Sequence, residues 1–182
     1  MAYSDTERVY DALLVALIQT GDKRAGERLA ARWQPRLLRT AHRLLHDKEQ
    51  ARDAVQEAWA GICRGWIGLS DPNKFPVWAY SILHRKCADR IRFEQKQRDR
   101  EAPLVNAPEP VVAAQGELKL AIGQALEALS PDHRSAAILY FSEGLTLPEI
   151  AAVTKVPLGT AKSRIFHARK QLKSILKGDD DE

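Results

Sequence analysis

The chain has 182 residues and a formal charge of +4, from 28 Lys and Arg against 24 Asp and Glu. Its last four residues, 179–182, are all acidic, so residues 1–178 carry +8 and polyanions are candidate partners. Two cysteines without paired spacing argue against a disulfide-stapled secreted domain, and no uncharged apolar stretch reaches the roughly 18 residues that span a bilayer. We therefore expect a cytoplasmic protein without direct membrane insertion.

The N-terminal half is predicted to contain four helices, because apolar residues recur every three or four positions and alternating, strand-like runs are nearly absent. Breaks at Gly21–Asp22, at His46–Asp47 and between Gly65 and Asn73 are predicted to separate these helices. Their apolar faces comprise Val9, Leu13, Leu14, Leu17 and Ile18; Leu29, Trp33, Leu37, Leu38, Ala41, Leu44 and Leu45; Ala51, Ala54, Val55, Ala58, Trp59 and Ile62; and Trp78, Ile82, Leu83 and Ile91.

A proline-rich stretch separates this half from the next. Three prolines between positions 103 and 110 cannot continue a helix, since each lacks the backbone donor and clashes with the preceding turn. We predict a flexible linker at 96–116 between a first domain at 1–95 and a second at 117–178, followed by an acidic tail at 179–182. The expected fold is all-α, with two small helical domains.

In the second domain, capping signals mark the helix starts. Ser130 before Pro131 suits an N-cap, and Thr146 with Glu149 forms a capping box before a short helix that ends near Val153. A tight turn and a longer helix, at 158–176, follow. The residues expected to face the core are Ala136, Ile138, Leu139 and Phe141 before the capping box, and Ile165, Ala168, Leu172 and Ile175 in the last helix.

A short capped helix, a turn and a longer second helix form a helix-turn-helix, which places its second helix in the major groove of DNA. The charge of this segment favours DNA, because no acid occurs between Glu149 and Asp179. Thr160, Lys162 and Ser163, near the start of the second helix, are placed to donate to phosphates or base edges. The alternative is an ordinary helical hairpin with a solvated basic face.

Two further features each have two interpretations. Cations concentrate between 85 and 100, just after Phe75, Trp78 and Tyr80; this pattern suits single-stranded nucleic acid, but aromatic residues at helical spacing are more often core. Asp53, Gln56 and Glu57 share one helix face, which is either solvated surface or a docking face for a protein partner.

Three stretches together resemble the extracytoplasmic-function sigma factors of bacterial RNA polymerase. They are residues 53–57, residues 75–82 with Asp89 and Arg92 downstream, and residues 159–169. The resemblance spans nearly the whole chain and includes the family's regions 2 and 4 in their usual order. Lys155 departs from it, because a turn glycine is frequent there; a left-handed lysine costs on the order of 1 kcal/mol.

The resemblance implies a function and a role for each matching residue. The protein would bind core RNA polymerase, direct it to minus-35 and minus-10 promoter elements, assist melting and be controlled by an anti-sigma factor, with contacts to the β′ clamp helices and the β subunit. It implies no cofactor or metal. The implied contacts are Asp53, Gln56 and Glu57 for the polymerase; Phe75, Trp78, Tyr80, His84 and Arg85 for minus-10 DNA; Lys162, Ser163, Phe166 and His167 for minus-35 bases; and Thr160, Arg164 and Arg169 for phosphates.

Other classes of protein remain as alternatives. A stand-alone helix-turn-helix regulator would bind palindromic operators as a dimer, and a helical adaptor would use its basic faces only for solubility. HExxH, GxSxG and Gly-rich phosphate-loop motifs do not occur, so we expect no enzymatic activity. His42 and His46 have metal-compatible spacing but no nearby third ligand, so we expect no metal site.

Overall fold

The computed structural model describes residues 3–100 and 117–177, with side chains for 3–97 and 121–176. Most of the predicted linker, residues 101–116, and the acidic tail lie outside the described residues. The first five positions of that predicted linker, 96–100, are instead the end of a helix. Within the described residues no strand is present, which confirms the all-α fold class. No helix of this part of the chain is long and apolar enough to cross a membrane.

The N-terminal unit, residues 3–100, contains four helices and two short 3-10 turns. Its helices are α1 (Asp5–Gln19), α2 (Lys23–Leu45), α3 (Lys48–Gly65) and α4 (Phe75–Arg100). The 3-10 turns, Trp66–Gly68 and Pro72–Lys74, lie between α3 and α4, where the sequence predicts a break.

Local capping explains these boundaries. Ser4 forms a capping box with Glu7 at the start of α1, and the Asp22 and Asp47 side chains accept backbone hydrogen bonds at the starts of α2 and α3. His46 ends α2 in the left-handed conformation, with φ of 57°, which confirms the predicted break at 46–47.

Trp33 is at the centre of the N-terminal core and is fully buried. The ring centroids of Phe75, Tyr80 and Tyr3 lie 5.0, 5.3 and 5.8 Å from that of Trp33. The indole nitrogen of Trp33 donates to buried Asp11 over 2.7 Å. Burial of each large side chain of this kind contributes roughly 1.5–3 kcal/mol, so the aromatic cluster is a principal source of stability for the unit.

The predicted apolar face of α1 is partly wrong. Val9 and Leu13 are exposed, whereas Asp11 is buried together with Leu14, Val15 and Ile18. The helix is rotated relative to the prediction because the Asp11 carboxylate has partners inside: Trp33, the Tyr3 hydroxyl and the Arg32 guanidinium, the last at 2.9 Å. A buried carboxylate is tolerated only with such partners.

The C-terminal unit, residues 117–177, contains α5 (Glu117–Glu127), α6 (Pro131–Ala137), α7 (Leu147–Thr154) and α8 (Leu158–Lys177). Five residues after α6, Ile138–Ser142, form a π-helical turn. Because this wider turn changes which side chains face inward, Phe141 is 50% exposed and the prediction that it belongs to the core is wrong. Ile175, near the end of α8, is also exposed, contrary to prediction.

Candidate nucleic-acid interface

The helix-turn-helix predicted at 146–176 is present as α7 and α8. Thr146 accepts from the Glu149 amide, and the Glu149 carboxylate accepts from the Thr146 amide over 2.8 Å, as the capping box requires. Lys155 ends α7 in the left-handed conformation, with φ of 55° and ψ of 46°. The turn to α8 is therefore made by a residue with a side chain at a position that favours glycine.

Helix α8 presents a basic surface to solvent. Buried Ala161, Ile165 and Ala168 hold its inner face against the rest of the unit. Of the seven predicted minus-35 residues, five are exposed and two, Thr160 and Arg164, are intermediate. The exposed five are Lys162, Ser163, Phe166, His167 and Arg169.

Two side chains of α8 differ from the others in their surroundings: the Phe166 ring is exposed among cations, and Arg164 is paired with a carboxylate. The Phe166 ring is 64% exposed, with its centroid 5.5 Å from that of His167, so an apolar surface lies among cations and is available to a thymine methyl group or a sugar. Arg164 is held by a carboxylate of the same unit, Asp132 at the start of α6, and is therefore less free than Lys162 or Arg169 to bind a phosphate.

The predicted minus-10 residues of α4 have unequal access to solvent. Phe75 and Tyr80 are 0% and 1% exposed, so neither ring is open to a base in this arrangement. Trp78 is half-buried, with its ring 6.1 Å from Phe75. His84 is also half-buried, and burial lowers its imidazole pKa despite the opposing effect of Asp132. Arg85 is exposed.

Trp78 lies directly over the end of α3. A Cβ atom on Gly65 would lie 2.7 Å from Cζ2 of the Trp78 ring, closer than side chains tolerate. Gly65 was predicted only as a helix break; the structure shows that the absence of its side chain also makes room for Trp78. The glycine that ends α3 therefore also allows Trp78, a predicted DNA-binding residue, to take its observed position.

The predicted docking residues Asp53, Gln56 and Glu57 are all exposed on one face of α3. Glu57 accepts from Lys86 over 2.8 Å and from Arg90 over 2.7 Å, and Arg90 also lies 3.6 Å from Asp53. The hydrogen bond from Lys86 is the main reason that the Glu57 pKa lies below its usual value. The acidic patch is thus held by two cations of α4, which fix its carboxylates in place.

Comparison with known proteins assigns the chain to a family. Residues 29–97 match the family described as Sigma-70 region 2, and residues 119–172 match Sigma-70, region 4. The chain is 28% identical to the RNA polymerase sigma-H factor of Pseudomonas aeruginosa, covering 91% of this chain and 93% of that protein. It belongs to the extracytoplasmic-function sigma factors.

Further relatives of this sigma factor are also named as sigma factors. It is 28% identical to the ECF RNA polymerase sigma-E factor of Escherichia coli K12, covering 92% of this chain and 94% of that protein. A solved structure of the sigma factor RpoE of Bartonella quintana, in complex with the anti-sigma factor NepR, is similar with a TM-score of 0.72 and 25% identity, covering 84% of this chain and 97% of that one.

Sequence reasoning missed two buried carboxylates that organise the sigma factor. Asp11 could have been found from its three- and seven-residue spacing to Leu14 and Ile18, which places it on their face of α1. Glu143 gives no such signal, because it follows the π-helical turn and its partners lie at least 63 residues away.

Proposed function

We propose that this sigma factor binds bacterial core RNA polymerase and directs it to promoters with a minus-35 and a minus-10 element. The observation that carries the proposal is the acid-free, exposed surface of α8 in a region 4 unit that follows a region 2 unit on the same chain. It acts in the cytoplasm as a specificity subunit of the polymerase, and it has no enzymatic activity of its own.

For minus-35 recognition, the exposed side chains of α8 enter the major groove. Lys162, Ser163, Phe166 and His167 contact base edges, while Thr160, Arg164 and Arg169 hold phosphates. Each base contact of good geometry contributes roughly 1–3 kcal/mol of discrimination, whereas the phosphate contacts make binding salt-dependent.

For minus-10 recognition, the half-buried Trp78 and the exposed Arg85 are the residues of α4 best placed to contact an unpaired strand, by stacking and by charge. His84 and Tyr80 contribute once their surroundings open, and Phe75 contributes from the core by supporting Trp78. Asp53, Gln56 and Glu57 dock on the β′ clamp helices, and other surfaces contact the β subunit.

The decisive experiment is transcription in vitro with purified core polymerase on fragments from upstream of the protein's own coding sequence. We expect start-site-specific transcripts with the wild type, and a loss of at least tenfold with Asp53→Arg or Lys162→Glu. Glu27→Arg and Lys23→Glu are the matched controls, since both residues are exposed and lie outside the proposed sites. Absence of any specific transcript, together with binding of palindromic DNA by the free dimer, would instead establish a stand-alone regulator.

Control by an anti-sigma factor is part of the proposal, supported by the RpoE relative, whose structure is a complex with such a partner. We expect a purified anti-sigma factor to bind this chain and to abolish the specific transcript without reducing transcription by the same core polymerase with an unrelated sigma factor. Inhibition of both reactions would show a nonspecific effect and would count against it.

A further inference from the structure

Two neighbouring side chains at the start of α6, Asp132 and His133, both contact α8. Asp132 pairs with the Arg164 guanidinium. The His133 ring stacks on the His167 ring, with centroids 5.8 Å apart and planes inclined by 23°, and its Nδ1 lies 3.3 Å from the Gln171 side-chain oxygen. Residues 164, 167 and 171 are three and four positions apart and therefore lie along one face of α8. The start of α6 thus borders α8 along this face.

The position of His133 is fixed by the backbone of α6. Its amide donates to the N-cap hydroxyl of Ser130 over 3.4 Å, and Pro131 occupies the first turn of the helix. The following residues, 135–137, are buried and anchor the helix in the unit. Because its own amide is part of the cap, His133 presents its ring to α8 from a defined place.

The His167 ring has neighbours on two sides. The His133 ring is stacked against it, and the Phe166 ring makes an edge contact, with centroids 5.5 Å apart and planes inclined by 79°. Stacking uses the face of an imidazole ring and leaves the two nitrogens at its edge, where they can donate to or accept from a base. His167 is otherwise exposed, so its ring would sample several rotamers without this contact. The stack therefore holds an exposed base-contacting side chain in one orientation before DNA binds.

The hydrogen bond to Gln171 orients the His133 ring in turn. A side-chain carbonyl oxygen only accepts, so Nδ1 of His133 carries the proton and donates to it. Gln171 follows His167 by four residues, so one ring contacts two successive turns of α8. Rotation of His133 away from His167 would also lose this hydrogen bond, and the stack is therefore supported by both helices.

We propose that His133 is a positioning residue for minus-35 recognition, which holds the His167 ring in the orientation that contacts a base edge. This role rests on the proposed function, because it adds a determinant of specificity to the same surface. The determinant lies on α6, outside the helix that enters the groove. Ordering of one free side chain on binding costs roughly 2- to 12-fold in affinity, and a ring that is already ordered avoids this cost.

The expected effect of losing His133 is a loss of discrimination between promoters. A matched base pair uses the His167 contact, whereas a mismatched pair at the same position does not. Loss of the ordered ring therefore weakens transcription from the matched promoter and leaves the mismatched one nearly unchanged. A purely structural role of His133 would lower both equally, so the ratio of the two transcripts distinguishes the two roles.

The role is tested by transcription in vitro with the full chain and core polymerase. The templates are one promoter and its variants with a single base-pair change at each position of the minus-35 element. We expect His133→Ala to lower transcription of the unchanged promoter by about threefold to tenfold. Discrimination should fall only at the positions where His167→Ala also lowers it, and the double variant should lose no more than His167→Ala alone.

Two further variants serve as controls. His133→Phe keeps a ring for stacking and should retain most of the wild-type discrimination. His42→Ala makes the same change as His133→Ala at an exposed histidine of α2 outside the proposed sites, and it should match the wild type. Far-UV circular dichroism confirms that each variant is folded.

The ring contact itself is measured by nuclear magnetic resonance of the histidine ring protons in the full chain without polymerase. The His167 signals are identified as those that His167→Gln removes. We expect them to carry a ring-current shift that His133→Ala abolishes and His133→Phe keeps. Unchanged His167 signals in folded His133→Ala would show that the two rings do not stack, and would overturn the proposal.

Transcription decides the remaining outcomes. Equal losses on matched and mismatched templates would show that His133 is only structural. Undiminished discrimination in His133→Ala, with specific transcription by the wild type, would refute the positioning role while the proposed function stands. Absence of any specific transcript with the wild type would refute the proposed function and the role of His133 together.

Discussion

Substitution of Gly65 by alanine tests how closely α3 and Trp78 fit. The new Cβ would lie 2.7 Å from Cζ2 and 3.2 Å from Cη2 of the ring, whereas ordinary contacts begin at 3.4 Å. The ring must therefore shift by about 0.7 Å, the difference between 3.4 and 2.7 Å. Buried Phe75 lies beside the Trp78 ring, with the two ring centroids 6.1 Å apart, so it limits the room for this shift.

The size of the effect follows from two opposing terms. Overpacking of this kind costs typically about 1–3 kcal/mol, and alanine recovers about 0.4–1 kcal/mol by reducing the entropy of the unfolded chain. We expect Gly65→Ala to lower the free energy of unfolding by about 0.5–2 kcal/mol. Because the ring is displaced, transcription at promoters that depend on minus-10 melting should fall, while binding of a minus-35 duplex is unchanged.

Urea denaturation followed by circular dichroism measures the stability change, and Gly68→Ala is the matched control. A Cβ on Gly68 would meet no atom within 4 Å, so that variant should be as stable as the wild type or slightly more stable. If Gly65→Ala and Gly68→Ala have equal stabilities and equal transcription activity, the claim that Gly65 makes room for Trp78 is refuted.

Three further predictions concern single sites. Asp11→Ala should lower the free energy of unfolding by about 3 kcal/mol, because the buried donors of Trp33 and Tyr3 lose their acceptor. Urea denaturation should show a clearly smaller loss for Asp11→Asn, which keeps one acceptor oxygen. Lys155→Gly should raise the free energy of unfolding by about 0.5 kcal/mol. Glycine relieves the strain of the left-handed backbone, and the greater entropy of the unfolded chain offsets part of this gain. A lower free energy of unfolding would contradict this account. Burial lowers the pKa of His84 in the folded state, so the unfolded state binds a proton first as the pH falls below about 6.5. The free energy of unfolding should therefore fall between about pH 7 and about pH 5.5. The fall should be shallower in His84→Asn, and equal slopes for the two proteins would contradict this account.

The features that sequence predicted well are those fixed by a few neighbouring residues. The Thr146 capping box and the Ser130 N-cap each depend on atoms three residues apart, and both are present. The break at His46 also depends on local backbone preference. The all-α fold follows from apolar spacing along whole helices, which tolerates an error at any single position.

The features that sequence did not predict depend on distant partners. Asp11 is acceptable inside the protein only because Tyr3, Trp33 and Arg32 donate to it, and Trp33 and Arg32 lie 22 and 21 residues later in the chain. Exposure of Phe141 and burial of Glu143 both follow the π-helical turn, whose hydrogen bonds span five residues instead of the four of an α-helix, and no residue type in the sequence predicts such a turn. Phe75 and Tyr80 illustrate the same limit, since family resemblance assigned them to DNA while packing around Trp33 buries them.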